Sequence, residues 1–260
     1  MSDDLKVTRD GAVLTVTFNR PARHNAMTYA MYEDLYAACE TADADEGVKV
    51  LVLRGAGGRA FVSGTDIGSF RDFRSGDDGV AYERRIARVM NRLEEVRVPT
   101  VAAVEGYCVG GGLAIASVCD LRLATRSSRF GMPIARTLGN CLSMNSVSIL
   151  VAHLGPARTL DLLLRARMLD AAAAHAAGFV TELCDDGTLD PTLASVLETL
   201  LAHAPLTMWA AKVAIARLRR ANLPNGDDLT ARAYGSEDFR RAVAAFGSRK
   251  GEEPFEWTGK

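Results

Sequence analysis

Pro99-Thr-Val-Ala-Ala-Val-Glu-Gly-Tyr-Cys-Val-Gly-Gly-Gly112 runs directly into Leu113-Ala-Ile-Ala-Ser-Val-Cys119. Thr100 to Val104 is a short apolar run bounded by Pro99 and by Glu105-Gly106, which predicts a buried strand. Leu113 to Cys119 is small and apolar, which predicts a buried helix. Three consecutive glycines lie between them. A helix N-terminus carries unpaired backbone N–H groups and the positive end of the helix dipole. Glycine lets another group come close to that backbone. Such a turn can hold negative charge forming on a carbonyl oxygen. Equally, it can serve only to pack the helix tightly on the strand. The residues alone leave both readings open.

Upstream, residues 5–9 and 12–18 alternate apolar and polar around Asp10-Gly11, a hairpin signal. Leu14, Val16 and Phe18 share one face. Thr28 to Cys39 has helical spacing at Met31, Leu35 and Ala38. Val48 to Leu53 reads as a buried strand, followed by a glycine-rich loop at 55–58 and by Ala60-Phe-Val-Ser-Gly-Thr-Asp-Ile67. Residues 80–96 form an amphipathic helix that stops before Pro99. Asp120 to Thr125 is a third strand. Beyond it the spacing predicts helices over 143–153, 157–166, 170–177, 191–203, 207–220 and 237–246, with one strand at Val180 to Leu183. Strands alternating with helices, then helices alone, predict an α/β protein with a helical C-terminal region. Gly247 to Lys260 carries no clear pattern.

The chain has 260 residues, 48% hydrophobic and 24% charged. These are the proportions of a globular protein with a sizeable core. Thirty-one basic residues face thirty-two acidic ones, so bulk charge offers nothing to a nucleic acid. Five cysteines at irregular spacing, no CxxC and four histidines predict no metal site and no disulfide framework. With a polar, acidic start at Met1 to Gly11, they imply a reducing, cytoplasmic setting. Apolar runs such as 98–104 are broken well short of a membrane span.

Two other glycine clusters compete for the chemistry. Gly55-Ala-Gly-Gly-Arg-Ala60 loosely fits a dinucleotide loop. No helix opens directly after it, and no strand ends in an acid about 20 residues on. Gly106-Tyr-Cys108-Val-Gly110 has the form of a nucleophile elbow, with Asp120 or Asp161 and then His203 in the order a hydrolase triad needs. His203 falls inside a helical stretch, and Cys108 equally fits a small buried residue.

Four stretches together resemble the crotonase superfamily, the enoyl-CoA hydratase/isomerase group. They are Asn19-Arg-Pro-Ala-Arg-His-Asn-Ala26, Ala60 to Ile67, Pro99 to Gly112, and Cys119-Asp120, with Lys212 and Glu237-Asp-Phe-Arg in the later helices. The resemblance covers nearly the whole chain. It implies an α/β crotonase fold of repeated ββα units, with a core over residues 1–195. Residues 196–260 would form a helical C-terminal region for trimerisation and for covering the pocket. It implies an enzyme, a lyase or isomerase, acting on an acyl-CoA thioester, with coenzyme A as part of the substrate and no other cofactor. A homotrimer or homohexamer is the implied assembly. Ser63 and Gly111 stand where the family places the two backbone donors of its oxyanion hole. Ala60, Ser63, Gly64, Thr65, Asp66, Ile67, Gly110 and Gly111 would line the substrate, and Arg23 would meet the CoA phosphates. Asp66 also suits the cap of a short helix.

The departures from the family concern acid–base chemistry. Hydratases of the group add water with two glutamates. The corresponding positions here hold Ala114 and Ile134, with Ala135 as the alternative to the second. Alkyl groups cannot move protons, so ordinary hydration is not expected of this chain. Arg136, Asn140, Ser143 and Asn145, in the segment that lines the acyl pocket, and Tyr82 and Glu83, on a helix that reaches it, are the polar candidates. A non-catalytic acyl-CoA-binding pseudoenzyme is the alternative, with a Cys108 hydrolase behind it.

Overall fold

The computed structural model describes residues 3–246 and 255–259. β1 (Leu5–Asp10) and β2 (Val13–Phe18) form the expected antiparallel hairpin. Leu14, Val16 and Phe18 are buried. Thr28 caps α1 (Tyr29–Ala44) by accepting from Met31 N, and Met31, Leu35 and Ala38 point into the core.

Three units of one design follow. In the first, β3 (Val50–Gly55) leads to β4 (Ala60–Val62), a 3-10 turn at Ile67–Phe70 and α2 (Gly76–Glu94). In the second, β5 (Thr100–Val104) leads to β6 (Tyr107–Val109) and α3 (Gly111–Val118). In the third, β7 (Leu121–Thr125) leads to β8 (Arg129–Gly131), α4 (Ile134–Thr137) and α5 (Met144–Leu164). β9 (Met168–Asp170), α6 (Ala171–Ala176) and β10 (Glu182–Cys184) complete the core. α7 (Leu189–Ala202), α8 (Pro205–Arg220), α9 (Asp227–Tyr234) and α10 (Glu237–Ala245) form the helical end.

The first strand of each unit enters a six-stranded sheet ordered β1-β2-β3-β5-β7-β10, and the second a four-stranded sheet ordered β4-β6-β8-β9. Pairing between units is parallel in both sheets. This is the α/β fold of repeated ββα units. The strands of the smaller sheet are three residues each, too short for an alternation to register. α9 also carries no helical signal strong enough to read from its eight residues.

α5 has the length and apolarity of a membrane span. Gly155, at φ 71° and ψ 163°, and Pro156 break it into two pieces. Neither piece approaches the ~20 residues that cross a bilayer. The break falls between the two helices predicted at 143–153 and 157–166. α8 is fastened to the sheet by Lys212. Its Nζ lies 2.6 Å from Asp120 Oδ2 and donates to Val98 O at 2.7 Å. Asp120 in turn accepts from Thr100 N and Thr100 Oγ1 at 2.7 and 2.9 Å. The Cys-Asp motif and the late-helix lysine are therefore one structural clamp.

His153 of α5 donates from Nε2 to Ser117 O at 2.8 Å and packs edge-on against Phe179. Burial, then the positive charge of Arg122, holds its pKa down to about 4. The ring is neutral in the folded protein, whereas the unfolded chain takes up its proton near pH 6.5. The unfolded state binds more protons between those values, so stability falls as pH drops from about 6.5 to about 4, by up to about 3 kcal/mol. Urea unfolding at pH 7 and pH 4.5 tests this: His153→Gln should lose less stability over the interval than the wild type.

Candidate active site

Asn25 builds the loop in front of the site. Its side chain is fully buried. Oδ1 accepts from Arg20 N at 2.9 Å, while Nδ2 donates to Ala56 O and Ala60 O at 3.0 and 2.7 Å. This ties the Asn19–Ala26 motif to the strand that opens the Ala60–Ile67 motif. Met27 then continues the connection. Its N–H donates to Gly64 O at 2.8 Å, and its carbonyl accepts from Asp66 N at 2.8 Å. Asp66 caps the 3-10 turn through Gly68 N and pairs with Arg20 at 3.1 Å.

These bonds fix which amides remain for a ligand. Ser63 N donates to His24 O at 3.1 Å. That amide is engaged within the loop, so the expectation that it holds a substrate carbonyl is corrected. Gly64 O and Asp66 N both turn toward Met27, and the Thr65 amide between them faces the other way. A Cβ placed on Gly111 would lie 3.5 Å from Thr65 N. Gly111 opens α3, where the first amides have no helical partner. Among the described residues, neither Thr65 N nor Gly111 N donates a hydrogen bond. The two free donors therefore sit side by side.

They open into a cavity of ≈170 Å³ whose wall includes Ser63, Gly64, Thr65, Ile67, Gly110, Gly111, Ala114, Ile134 and Asn140. The sequence motifs thus converge on one place. Tyr32 Oη and Tyr82 Oη lie 2.9 and 2.7 Å from Thr65 Oγ1, a chain of hydroxyls beside the free amides. Burial raises both phenols above their ordinary range, which keeps them neutral. The Ala114 and Ile134 side chains bring only alkyl surface to the wall.

Glu83 is the carboxyl of this cavity. It is 8% exposed. Tyr234 Oη donates to its Oε1 at 2.8 Å, and Ser143 N donates to its Oε2 at 3.2 Å. Asn140 Nδ2 donates to Tyr234 Oη at 3.0 Å. Burial pushes the Glu83 carboxyl above the usual carboxylate range, with the Tyr234 and Ser143 donors pulling the other way. Tyr234 comes from α9, which sequence spacing does not reveal. A long-range hydrogen bond of this kind leaves no local pattern.

The side chains of the other candidates do not form part of the cavity wall. Arg136 is exposed, and Asn145 bonds to Asn91 and Arg219. Ser143 caps α5 through Ser146 N. Arg23 is exposed in a 3-10 turn, and Ala60 is buried in β4. The hydrolase constellation does not assemble. Cys108 is fully buried, Asp120 serves Thr100 and Lys212, Asp161 pairs with Arg165 and Arg167, and His203 is exposed at the end of α7.

Known proteins show the same plan. Residues 8–255 match the enoyl-CoA hydratase/isomerase family. The chain is 32% identical to a probable enoyl-CoA hydratase of Rhizobium meliloti, covering 96% of this chain and 97% of that protein. It is 30% identical to the 1,2-epoxyphenylacetyl-CoA isomerase of Escherichia coli, covering 95% of each. A solved enoyl-CoA hydratase/carnithine racemase from Magnetospirillum magneticum superposes with a TM-score of 0.81 at 33% identity, over 100% of this chain and 97% of that one. The chain belongs to the enoyl-CoA hydratase/isomerase family.

Burial drives the Cys108 thiol well above its ordinary pKa. A sealed, protonated thiol is inert toward electrophiles. Iodoacetamide at pH 8 should leave Cys108 unmodified in the native protein and label it fully in urea, as read by peptide mass spectrometry.

Proposed function

We propose that the protein is an enzyme acting on an acyl-CoA thioester through an enolate. The observation that carries this reading is the pair of unengaged amides, Thr65 N–H and Gly111 N–H, at one end of a mainly apolar cavity. A thioester carbonyl between them gains two donors fixed before the reaction begins. As a proton leaves the acyl chain, charge moves to that oxygen, where the preformed donors hold it. In other acyl-transfer sites the loss of one such donor costs about 3–4 kcal/mol of barrier. Backbone amides do not depend on the residues at 114 and 134. The acid–base steps of ordinary hydration do, and general acid–base groups supply about 10²–10⁴-fold. Coenzyme A enters as part of the substrate, with Arg23 on the exposed side as its phosphate contact.

Butyryl-CoA should raise the melting temperature, because a ligand selective for the native state stabilises it. NAD should not. Hydration of crotonyl-CoA, followed by loss of the conjugated thioester absorbance, should be very slow or absent. A shift with NAD alone would overturn the reading. So would efficient hydration, at the ~10⁴–10⁸ M⁻¹s⁻¹ typical of enzymes, as far as the vacant acid positions are concerned.

The assembly we propose is a homotrimer or homohexamer. α8 buries none of its side chains fully, and Leu206, Ile215 and Leu218 are 76%, 69% and 78% exposed. Obligate interfaces are built from such apolar faces. Light scattering at micromolar concentration should give the mass of three or six chains, and the mass of one chain would refute this.

A further inference from the structure

The vacancy at 114 and 134 raises the question of which group moves the proton. Every residue of the cavity wall can be asked. Most are alkyl, aromatic or backbone. Tyr32, Tyr82 and Tyr234 have phenols raised by burial and stay neutral. Asn140 and Ser146 do not titrate. Among the described residues, Glu83 alone brings a carboxyl to the wall, and no lysine, arginine or histidine joins it there.

We infer that Glu83 is the acid–base residue of this enzyme, taking a proton from the acyl chain and returning it. The inference rests on the enolate reading given above. Three observations carry it. First, the carboxyl is buried against the cavity yet makes no ion pair among the described residues. Burying an unpaired carboxyl is unfavourable, and a purely structural role would be met as well by an amide. Second, its two hydrogen bonds are both accepted, from Tyr234 Oη and Ser143 N. They orient the group and support its ionised form. Third, a dedicated contact delivers Tyr234. Gly79, one turn before Glu83 on α2, leaves room for the ring, since a Cβ there would lie 2.2 Å from Tyr234 Cβ. Asn140 Nδ2 then sets the direction of the phenol by occupying it as a donor. Tyr234 is thus a positioning residue for Glu83.

The step balances without a further reagent. The Glu83 carboxylate takes H⁺ from Cα, or from Cγ of an enoyl chain. The C–H electron pair moves into the thioester, giving an enolate or dienolate whose oxygen lies between Thr65 N–H and Gly111 N–H. The protonated carboxyl then returns the proton to the same carbon or to another carbon of the conjugated system. The substrate class this serves is an acyl- or enoyl-CoA whose double bond or stereocentre is shifted by proton transfer, with no water added.

The groups facing Glu83 are Tyr234 of α9, Tyr82 of α2, Tyr32 of α1 and Cys141. All are neutral at pH 7, so an acidic limb in the pH profile of exchange belongs to Glu83, whose carboxyl burial raises above the usual carboxylate range. Deuterium incorporation into butyryl-CoA and crotonyl-CoA in D₂O, read by NMR and mass, tests the assignment. Wild type should exchange. Glu83→Gln should bind butyryl-CoA within about twofold of wild type and lose exchange by ~10²-fold or more. Tyr234→Phe removes a donor that favours the carboxylate, so the acidic limb of its exchange profile should move to higher pH. That shift also tests the inference if Glu83→Gln does not fold. Exchange by Glu83→Gln within threefold of wild type would overturn it. So would a Tyr234→Phe limb unmoved from wild type, or wild type that binds butyryl-CoA and exchanges nothing. Failure of wild type to bind any CoA ester would instead overturn the enolate reading itself.

Discussion

The seam between the start of α3 and the end of β4 is the contact on which the site depends. A Cβ on Gly112 would lie 2.1 Å from Val62 O, so any side chain at that position would force helix and strand apart. Glycine there brings the first turn of α3 down onto the strand that leads into Ser63–Ile67. The free amide of Gly111 then arrives beside the free amide of Thr65. The Asn25 bonds and the Met27 bonds fix the opposite side of the same loop. Packing and chemistry are therefore not rival readings of the glycine triplet. Gly112 serves the packing, and Gly111 gains its position from it.

Around this seam the proposed mechanism divides the work between backbone and side chains. In that proposal charge stabilisation falls to the backbone, where substitution cannot easily remove it. Proton transfer is left to side chains, which the rest of the wall can supply from different elements. α2 is well placed to do so. It packs against α9 at Gly79 and Tyr234, and a residue one turn further along presents a carboxyl to the cavity. The desolvation cost of that carboxyl is offset in part by two donors, of which one is a backbone amide fixed by the start of α5.

Much of this was legible in the sequence. Leu14, Val16 and Phe18 alternate because one face of β2 is buried. The long strands and helices announce themselves because their periodicity runs for several residues. The motifs at 19–26, 60–67 and 99–112 pointed to the cavity through their resemblance to the crotonase superfamily, and the structure brings residues of the last two into its wall. What the sequence could not show depends on distance. The three-residue strands of the smaller sheet owe their existence to pairing with one another. The choice between Ser63 and Thr65 as a donor turns on where His24 O lies, a contact across 39 positions. Glu83 reads as one polar candidate among several, with Tyr82, Arg136, Asn140, Ser143 and Asn145. Its bonds from Tyr234, 151 positions away, and from Ser143, 60 positions away, distinguish it.

That separation bears on how one fold can serve several reactions. A thioester enolate has the same needs at its oxygen whatever happens further along the chain. Two amides meet them, and their geometry comes from a glycine seam rather than from any reactive side chain. The position of the proton donor and acceptor then decides the outcome. A pair of acids flanking a water favours addition. One carboxyl in a water-poor, aromatic wall favours moving a proton from carbon to carbon, because no second group activates a nucleophile. In this chain Phe70, Tyr82 and Tyr234 share the cavity wall with Glu83, their ring centroids 4.9 to 6.3 Å from one another. Their packing excludes solvent from the carboxyl and thereby raises its affinity for a proton. The same aromatic wall that makes an unpaired acid costly to bury also suits it to the base role proposed for Glu83, and the two properties cannot be separated.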